Sequence, residues 1–496
     1  MTELARVGGP LACAGLALLL VARRRDLRLV GLAAWAAGGA ALVAYLAPGG
    51  HAKLLAAAAL GGLALAVAIA FALRRWPWAL AFAALACVPA RIPVKLGSTD
   101  ANLLLPLYAL LGGAAIVLAW DLVRGDTRSR ELGPLAWPLA AFVLWSGLSL
   151  AWSGDVRQGA IDLAAFYLPF GILAVSFARL PWSRRALTWL FAELAAMAVV
   201  FAAIGVVQYA TRDVFWNPKV IVGNAYARAP FYRVNSVFYD PSIYGRFLVV
   251  AILAALVLVL RGAGERIAIA AAAGIALVWA GLVFSFSQSS FAALIAGVLI
   301  AAAVVWRWRA AAALGLVAAV LVTVGISAPQ VRHTLLGKSR TGLNSATSGR
   351  ASLVGNGVRI AFHHPLGGVG IGGFKRAYAD RLGLKGREPK KAASHDTPVT
   401  VAAETGLIGL ALLVWLGAAA LLLAFRRIPA TFAGRASLIV GLGLTAIAVH
   451  SLFYNAFFED PMMWGLIGLV ALASPMLVPV RRPARPAVEQ KEAVPV

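Results

Sequence analysis

Residues 239–260 read YDPSIYGRFLVVAILAALVLVL. From Ile243 on, the run is apolar except for Arg246. It is long enough, at about 1.5 Å of rise per residue, to cross a hydrocarbon core about 30 Å thick. Apolar and polar residues do not alternate, so the stretch reads as a membrane helix and not as a strand. An ionisable group at the end of such a span is costly, which gives Arg246 an expected partner or task. Snorkelling to the interface is the plain alternative.

The pattern repeats in both directions along the chain. Of its 496 residues, 61% are hydrophobic and only 13% charged, and the mean hydropathy of +0.84 lies far from that of soluble domains. Comparable runs start near residues 8, 28, 53, 77, 102, 134, 160, 185, 243, 266, 288, 309, 400, 434 and 461. The first is read as a span and not a signal peptide, for it has no basic start or small-residue cleavage site. The fourth, WPWALAFAALACVPARIPV at 76–94, is short and limited by prolines, so a re-entrant course is open to it. The expected fold class is an all-α integral membrane protein with about 12–15 transmembrane helices. A large extracytoplasmic loop is expected between the third-last and fourth-last helices.

The division that follows is 1–210, N-terminal transmembrane helices; 211–242, a first extracytoplasmic segment; 243–327, transmembrane helices; 328–399, the large loop; 400–480, C-terminal transmembrane helices; and 481–496, a polar, disordered cytoplasmic tail. A net charge of +25 first suggests nucleic acid. The arginines, however, gather in short clusters between apolar runs: Arg23 to Arg25, Arg74 and Arg75, Arg124 to Arg130, Arg179 to Arg185, Arg261 and Arg266, Arg307 and Arg309, Arg426 to Arg435. Threading the runs alternately puts every cluster on one side, the positive-inside pattern of a cytoplasmic face. No nucleic-acid partner is expected; the lipid bilayer is. Cys13 and Cys87 both lie in apolar runs and offer neither a disulfide framework nor a cysteine metal site.

Polar residues concentrate in the large loop, centred on GRASLVGNGVRIAFHHPLGGVGIGGF at 349–374 and KKAASHDTPVTVAAETGLIGL at 390–410. Leu353, Val354, Val358, Ala361 and Phe362 recur at helical spacing after Ser348 or Gly349, and Pro365 stops the pattern. This predicts a short amphipathic helix at the membrane surface. The glycines that follow lack the strand and the Lys-Ser of a phosphate loop, so they predict a close-packed turn. In SHDTPVT, Thr397 is the expected N-cap with Pro398 at the first helical position. His395 then stands just outside a helix N-terminus, where the dipole favours a nearby anion and a neutral imidazole. Such a ring suits a general base, and a solvated loop histidine is the alternative.

Other candidates are weighed in the same way. Arg350 and Arg233 suit bidentate diphosphate binding or simple neutralisation of headgroups. Glu404, about two turns inside its helix, must face protein or water and serves a structural ion pair as readily as a substrate. Ser287, Gln288 and Ser289 form a tight turn, either capping helix ends or facing a headgroup. His450, Glu459 and Asp460 can line the same hollow; His363 and His364 are interfacial. No HExxH or DxD spacing appears, so no metal or other cofactor is expected.

The order FYRVNSVFYDPSIYGRFL, SFSQSSFAALIAG, SGRASLVGNGVRIAFHHPLGGVGIGGF and SHDTPVTVAAETGLIGL resembles the O-antigen ligase and polymerase family of bacterial envelope glycosyltransferases, over roughly residues 230–425. The resemblance implies a multi-pass protein of the cytoplasmic (inner) membrane with its active site on the extracytoplasmic side. It implies a metal-independent, inverting enzyme with an undecaprenyl-diphosphate-linked glycan as donor and a glycan, lipid or cell-wall acceptor. By motif position His395 is the catalytic residue, and Arg233 and Arg350 hold the diphosphate. Arg246, Glu404 and Gln288 complete the expected substrate-binding set. Two departures stand out: Ser287-Gln288-Ser289 replaces a serine-arginine-glycine element, leaving Arg246 to supply the charge, and Asp396 stands where asparagine is common. A polymerase is the alternative within the family. A lipid-linked-sugar or secondary transporter is the alternative outside it, opposed by the absence of discontinuous helix pairs and internal repeats in the sequence.

Overall fold

The computed structural model describes residues 2–47, 52–96, 99–215, 217–226, 232–262, 264–310, 312–316, 350–384, 394–426 and 431–470. Among these, twelve helices are long and apolar enough to cross a membrane, so the all-α membrane architecture expected from the runs is present. The run near 309, the Ser348 or Gly349 cap, most of the loop before Arg350 and the tail from 481 lie outside the described residues.

Helices α1 (Thr2–Val21) and α2 (Arg25–Leu46) form a close antiparallel pair. A Cβ at Gly8, Gly15, Gly31 or Gly38 would collide with the opposite helix; in lipid, where burial of apolar surface gives no advantage, such contact of small residues drives helix association. Helix α3 (Ala52–Arg75) is followed by α4 (Ala79–Ala86), eight residues long and ended by Pro89. Between Pro89 and Pro106 the chain is extended, and β1 (Ile92–Leu96) pairs antiparallel with β2 (Thr99–Leu103), Ile92 opposite Leu103. The alternation that announces this hairpin is short, Ile92, Val94 and Leu96 against Pro93 and Lys95 and then Ala101 and Leu103 against Asp100 and Asn102, and proline, which disfavours helix on its N-terminal side, supports the extended course.

Next come α5 (Leu105–Val123), α6 (Ala136–Ser149), α7 (Val156–Asp162) and α8 (Leu168–Arg179). A π-helical turn at Leu163–Tyr167 joins α7 to α8 in one span. Beyond α9 (Arg184–Thr211) and the short α10 (Pro218–Tyr226) lie α11 (Pro241–Leu260), α12 (Glu265–Ser285) and α13 (Gln288–Trp306). The stretch that opened the reading is α11, and it is the most central of these, buried from Pro241 to Ala254. The amphipathic helix expected after residue 349 is α14 (Arg350–His363), with α15 (Phe374–Arg381) behind the glycine segment. Helices α16 (Thr397–Phe425), α17 (Phe432–Ser451) and α18 (Pro461–Val470) close the described chain.

One end of the bundle gathers the arginine clusters into an ion network. Arg28 pairs with Glu131 at 2.7 Å, and both side chains are buried. Arg179 reaches Asp121, Asp126 and Glu131 together, and Arg128 pairs with Asp126 at 2.6 Å. Arg25 donates to the Leu122 and Val123 carbonyls. The contact with Arg128, backed by Arg179, holds the Asp126 carboxyl below the usual carboxylate range.

Candidate functional site

At the opposite end of the bundle, α11, α12, α13, α16 and α17 bring their polar ends together. The serine turn between α12 and α13 is held by its own hydroxyls. Ser287 caps α13, accepting from the Ser290 amide, and its Oγ lies 3.1 Å from Ser289 Oγ and 2.8 Å from Ser290 Oγ. The capping reading of this turn is therefore realised. Gln288 between them is exposed.

Ser289 Oγ continues to His450 Nε2 at 2.9 Å, and the same nitrogen lies 3.1 Å from the Ser242 carbonyl oxygen. A carbonyl only accepts, so Nε2 carries the hydrogen. His450 is fully buried and its Nδ1 has no hydrogen-bond partner. One turn beyond Ser242 on the same face of α11 stands Arg246, whose Nε lies 2.9 Å from Asp460 Oδ2, both side chains only 2% exposed. Asp460 is the partner that a buried arginine demands, yet Arg246 Nη1 is left without one. Neighbouring Glu459 is taken by Arg91, at 3.3 Å and through its carbonyl at 2.7 Å.

Arg233 is fixed from two sides. Its amide donates to Asn224 Oδ1 at 3.1 Å, its carbonyl accepts from Asn224 Nδ2 at 2.8 Å, and its Nε donates to the Ser285 carbonyl at 3.1 Å. Burial lowers its pKa, as does the charge of Arg350, while Asp240 opposes the shift. Asp240 is partly committed, capping α11 through the Ser242 amide. The charge of Arg350 also reaches His450. Arg233 and Arg350 are thus within reach of each other's charge, and Arg246 and Arg350 within reach of His450.

His395 has a left-handed backbone, φ +65°, unusual for a side chain of its size and maintained only where neighbours fix it. Ser394 does so: its amide donates to Thr400 Oγ1 at 3.2 Å and its hydroxyl to the Asp396 carbonyl at 2.7 Å. The N-cap is Asp396, not Thr397; its carboxylate accepts from the Val399 amide at 2.8 Å. Both residue types cap well, but here Thr397 is already helical and Pro398 occupies the second helical position, so the carboxylate one residue earlier meets the third amide. Burial raises the Asp396 pKa, the Val399 amide working against it. Helix α14 packs on this junction at Gly357, where a Cβ would lie 2.6 Å from Val399 Cγ1 and 3.4 Å from Ser394 Cβ.

Glu404 lies apart from the arginines and makes no ion pair. Its Oε1 accepts from the Phe374 amide at 3.3 Å, and the Gly372 amide also binds it, so it caps α15 from a distance. Helix α16 is broken two residues later: Gly406 has φ 71° and ψ −174°. The glycine segment fills the break, Val369 and Gly370 donating to the Ala403 and Glu404 carbonyls at 2.9 and 2.7 Å, and Leu407 donating to Pro365 at 2.7 Å. A Cβ at Gly406 would strike the Leu366 carbonyl, and one at Gly370 the Ser153 backbone. The expected close-packed turn exists, and, among the described residues, α16 alone is shown to be discontinuous, a break the sequence does not announce. Backbone that leaves its own helix is stable at membrane depth only when other protein groups satisfy it.

Among the described residues no group of three metal-ligating side chains occurs. No curated protein matches the chain. Residues 271–414, well under half of the length, match the protein-family model described as O-Antigen ligase. The match takes in Gln288, Arg350, His395 and Glu404 and leaves Arg233 and Arg246 outside it. The serine turn, the helix that opens at Arg350 and the His395 junction all lie inside that region, which is what makes the chain similar to the O-antigen ligase family.

Proposed function

We propose that this chain is a multi-pass membrane glycosyltransferase of the cytoplasmic membrane. It transfers glycan from an undecaprenyl-diphosphate carrier to an acceptor hydroxyl at the extracytoplasmic face. The observation that carries the reading is the arginine excess at one end of the bundle: Arg233 and Arg350 feel each other's charge, Arg246 and Arg350 both reach His450, and among the described residues Asp460 is the one carboxylate that pairs with any of the three. One buried and two half-buried cations beyond their counterions suit a dianionic headgroup. Gly245, next to Arg246 in the chain, lies against Ser285 and Ser290 of the serine turn, and Arg246 compensates for the arginine that Gln288 replaces. The opposite end carries the arginine clusters and reads as cytoplasmic by the positive-inside pattern.

In this mechanism the acceptor oxygen attacks the anomeric carbon as the carbon–oxygen bond to the diphosphate breaks. The bonding pair leaves on the phosphate oxygen, where the guanidiniums stabilise it. His395 takes the acceptor proton. Direct displacement inverts the anomeric centre, and the arginines supply the positive charge without a metal. A growing glycan as acceptor would make the enzyme a polymerase; a lipid core sugar or a cell-wall glycan would make it a ligase. The break in α16 favours a second reading, transport of a lipid-linked sugar, because interrupted helices recur in transporters. Its carbonyls are nevertheless filled by loop amides. Reconstitution into vesicles with undecaprenyl-diphosphate glycan and candidate acceptors tests the choice. A new glycosidic product supports transfer; translocated but uncoupled donor overturns it.

A further inference from the structure

A second cavity lies outside the arginine site, between α14, the glycine segment, α15 and the turn after α6. Its volume is about 490 Å³, within the range of small-molecule sites and large enough for more than one sugar ring. Trp152, His363, His364, Arg376, Asp380 and Arg381 face it. Trp152 is 42% exposed, yet its ring is not free to turn: Nε1 donates to the Gly367 carbonyl at 3.1 Å, and Trp145 packs 5.7 Å away. A large aromatic face held still at a polar opening is a platform for the apolar face of a sugar. Arg376 and Arg381 are each anchored by one contact, to the Gly154 carbonyl at 2.7 Å and to Asn356 Oδ1 at 3.2 Å. Among the described residues neither forms an ion pair, and both line the opening.

We propose that this cavity is a subsite for an acidic glycan segment, either the distal part of the lipid-linked donor or the acceptor chain. The assignment rests on the glycosyl-transfer reading above and adds to it the place where sugars beyond the reacting ring are held. The mixture of groups argues for a saccharide over a bare headgroup phosphate. Asp380 would repel a lone phosphate but accepts from sugar hydroxyls, while the two guanidiniums bind a uronate carboxylate. Phe362 and Leu366, 75% and 70% exposed beside the histidines, present an apolar rim of the kind that sits in the membrane interface, where a lipid-linked glycan emerges.

The full-length protein in nanodiscs, titrated calorimetrically with a hyaluronan tetrasaccharide and with neutral N-acetylchitotetraose, tests the assignment. The acidic chain should bind more tightly. Trp152→Ala should abolish that binding, and the doubly substituted R376Q/R381Q protein should weaken it about tenfold or more. Thermal unfolding of both variants reports whether they remain folded, and the arginine variant, altered only at exposed positions, carries the test if Trp152→Ala does not. Absence of binding to the wild type, equal binding of both probes, or unchanged binding by R376Q/R381Q overturns the proposal. So does a variant that loses affinity for anionic vesicles alone. Because no turnover is measured, failure of the catalytic reading leaves this result intact, and failure here leaves transfer intact.

Discussion

The two ends of this helix bundle use the same residue in opposite ways. At the arginine-rich end, Arg28, Arg128 and Arg179 are matched by Asp121, Asp126 and Glu131, and the remaining donors find backbone carbonyls. At the other end, among the described residues, Arg233 pairs with no carboxylate, and Arg246 shares one with nothing left for its Nη1. A matched network fastens helices; an unmatched one stores attraction for something that arrives later. The contrast separates charge that holds the fold from charge that awaits a ligand.

The comparison yields measurements that strain it. The largest expected effect is on His395→Ala, whose transfer rate in reconstituted vesicles should fall by about 10²–10⁴-fold, with membrane protein levels unchanged. Wild-type turnover would move the base elsewhere at that end, with His450 the next group to try. Arg246→Ala should destabilise the protein by about 3–5 kcal/mol, because it leaves Asp460 buried and uncompensated. The R246M/D460L protein should recover most of that loss in thermal unfolding while still failing to bind the lipid diphosphate; recovered binding would make Arg246 a purely structural residue.

At the matched end, Glu131→Gln should cost about 1.5–3 kcal/mol of stability, since charge-assisted bonds to Arg28 and Arg179 are weakened. Its KM for the donor should not move, and a change there would erase the distinction between the ends. The smallest effect belongs to Arg350→Lys. Loss of the planar fork should weaken donor affinity about tenfold, with the unfolding midpoint unmoved; equal affinity would take Arg350 out of the site.

Much of the architecture could be read from the chain because a membrane span announces itself locally. Twenty apolar residues in a row need no partner to be recognised, and α11 followed from its own letters. Arg246 was legible as a costly residue in want of a partner, but Asp460 lies far along the chain and only folding names it. His450 looked like one more histidine at the end of a span, for its contacts, Ser289 and Ser242, are 161 and 208 residues away. The break in α16 was hidden because TGLIGLALL reads as uninterrupted apolar helix, and the amides that fill the gap come from residues 369 and 370. The hairpin at 92–103 was hidden for another reason: the alternation in IPVKLGSTDANL lasts only a few residues on each side of Gly97-Ser98 and is lost between two apolar runs. The cap at Asp396 shows the finest grain, where two suitable residues stand side by side and backbone geometry chooses.

The interlock between the glycine segment and α16 also bears on how the protein is made. Residues 365–373 leave the ribosome before the helix whose carbonyls they must meet, so they wait at the membrane surface until α16 is threaded. The first turns of α16 can then come to rest only by docking on a partner already delivered, which makes insertion of this helix a bimolecular-like closure within one chain. A lesion in the loop, such as Gly370→Val, should accordingly appear during biogenesis as a helix that enters the bilayer but does not settle, and proteolysis of nascent protein would register it before any assay of activity.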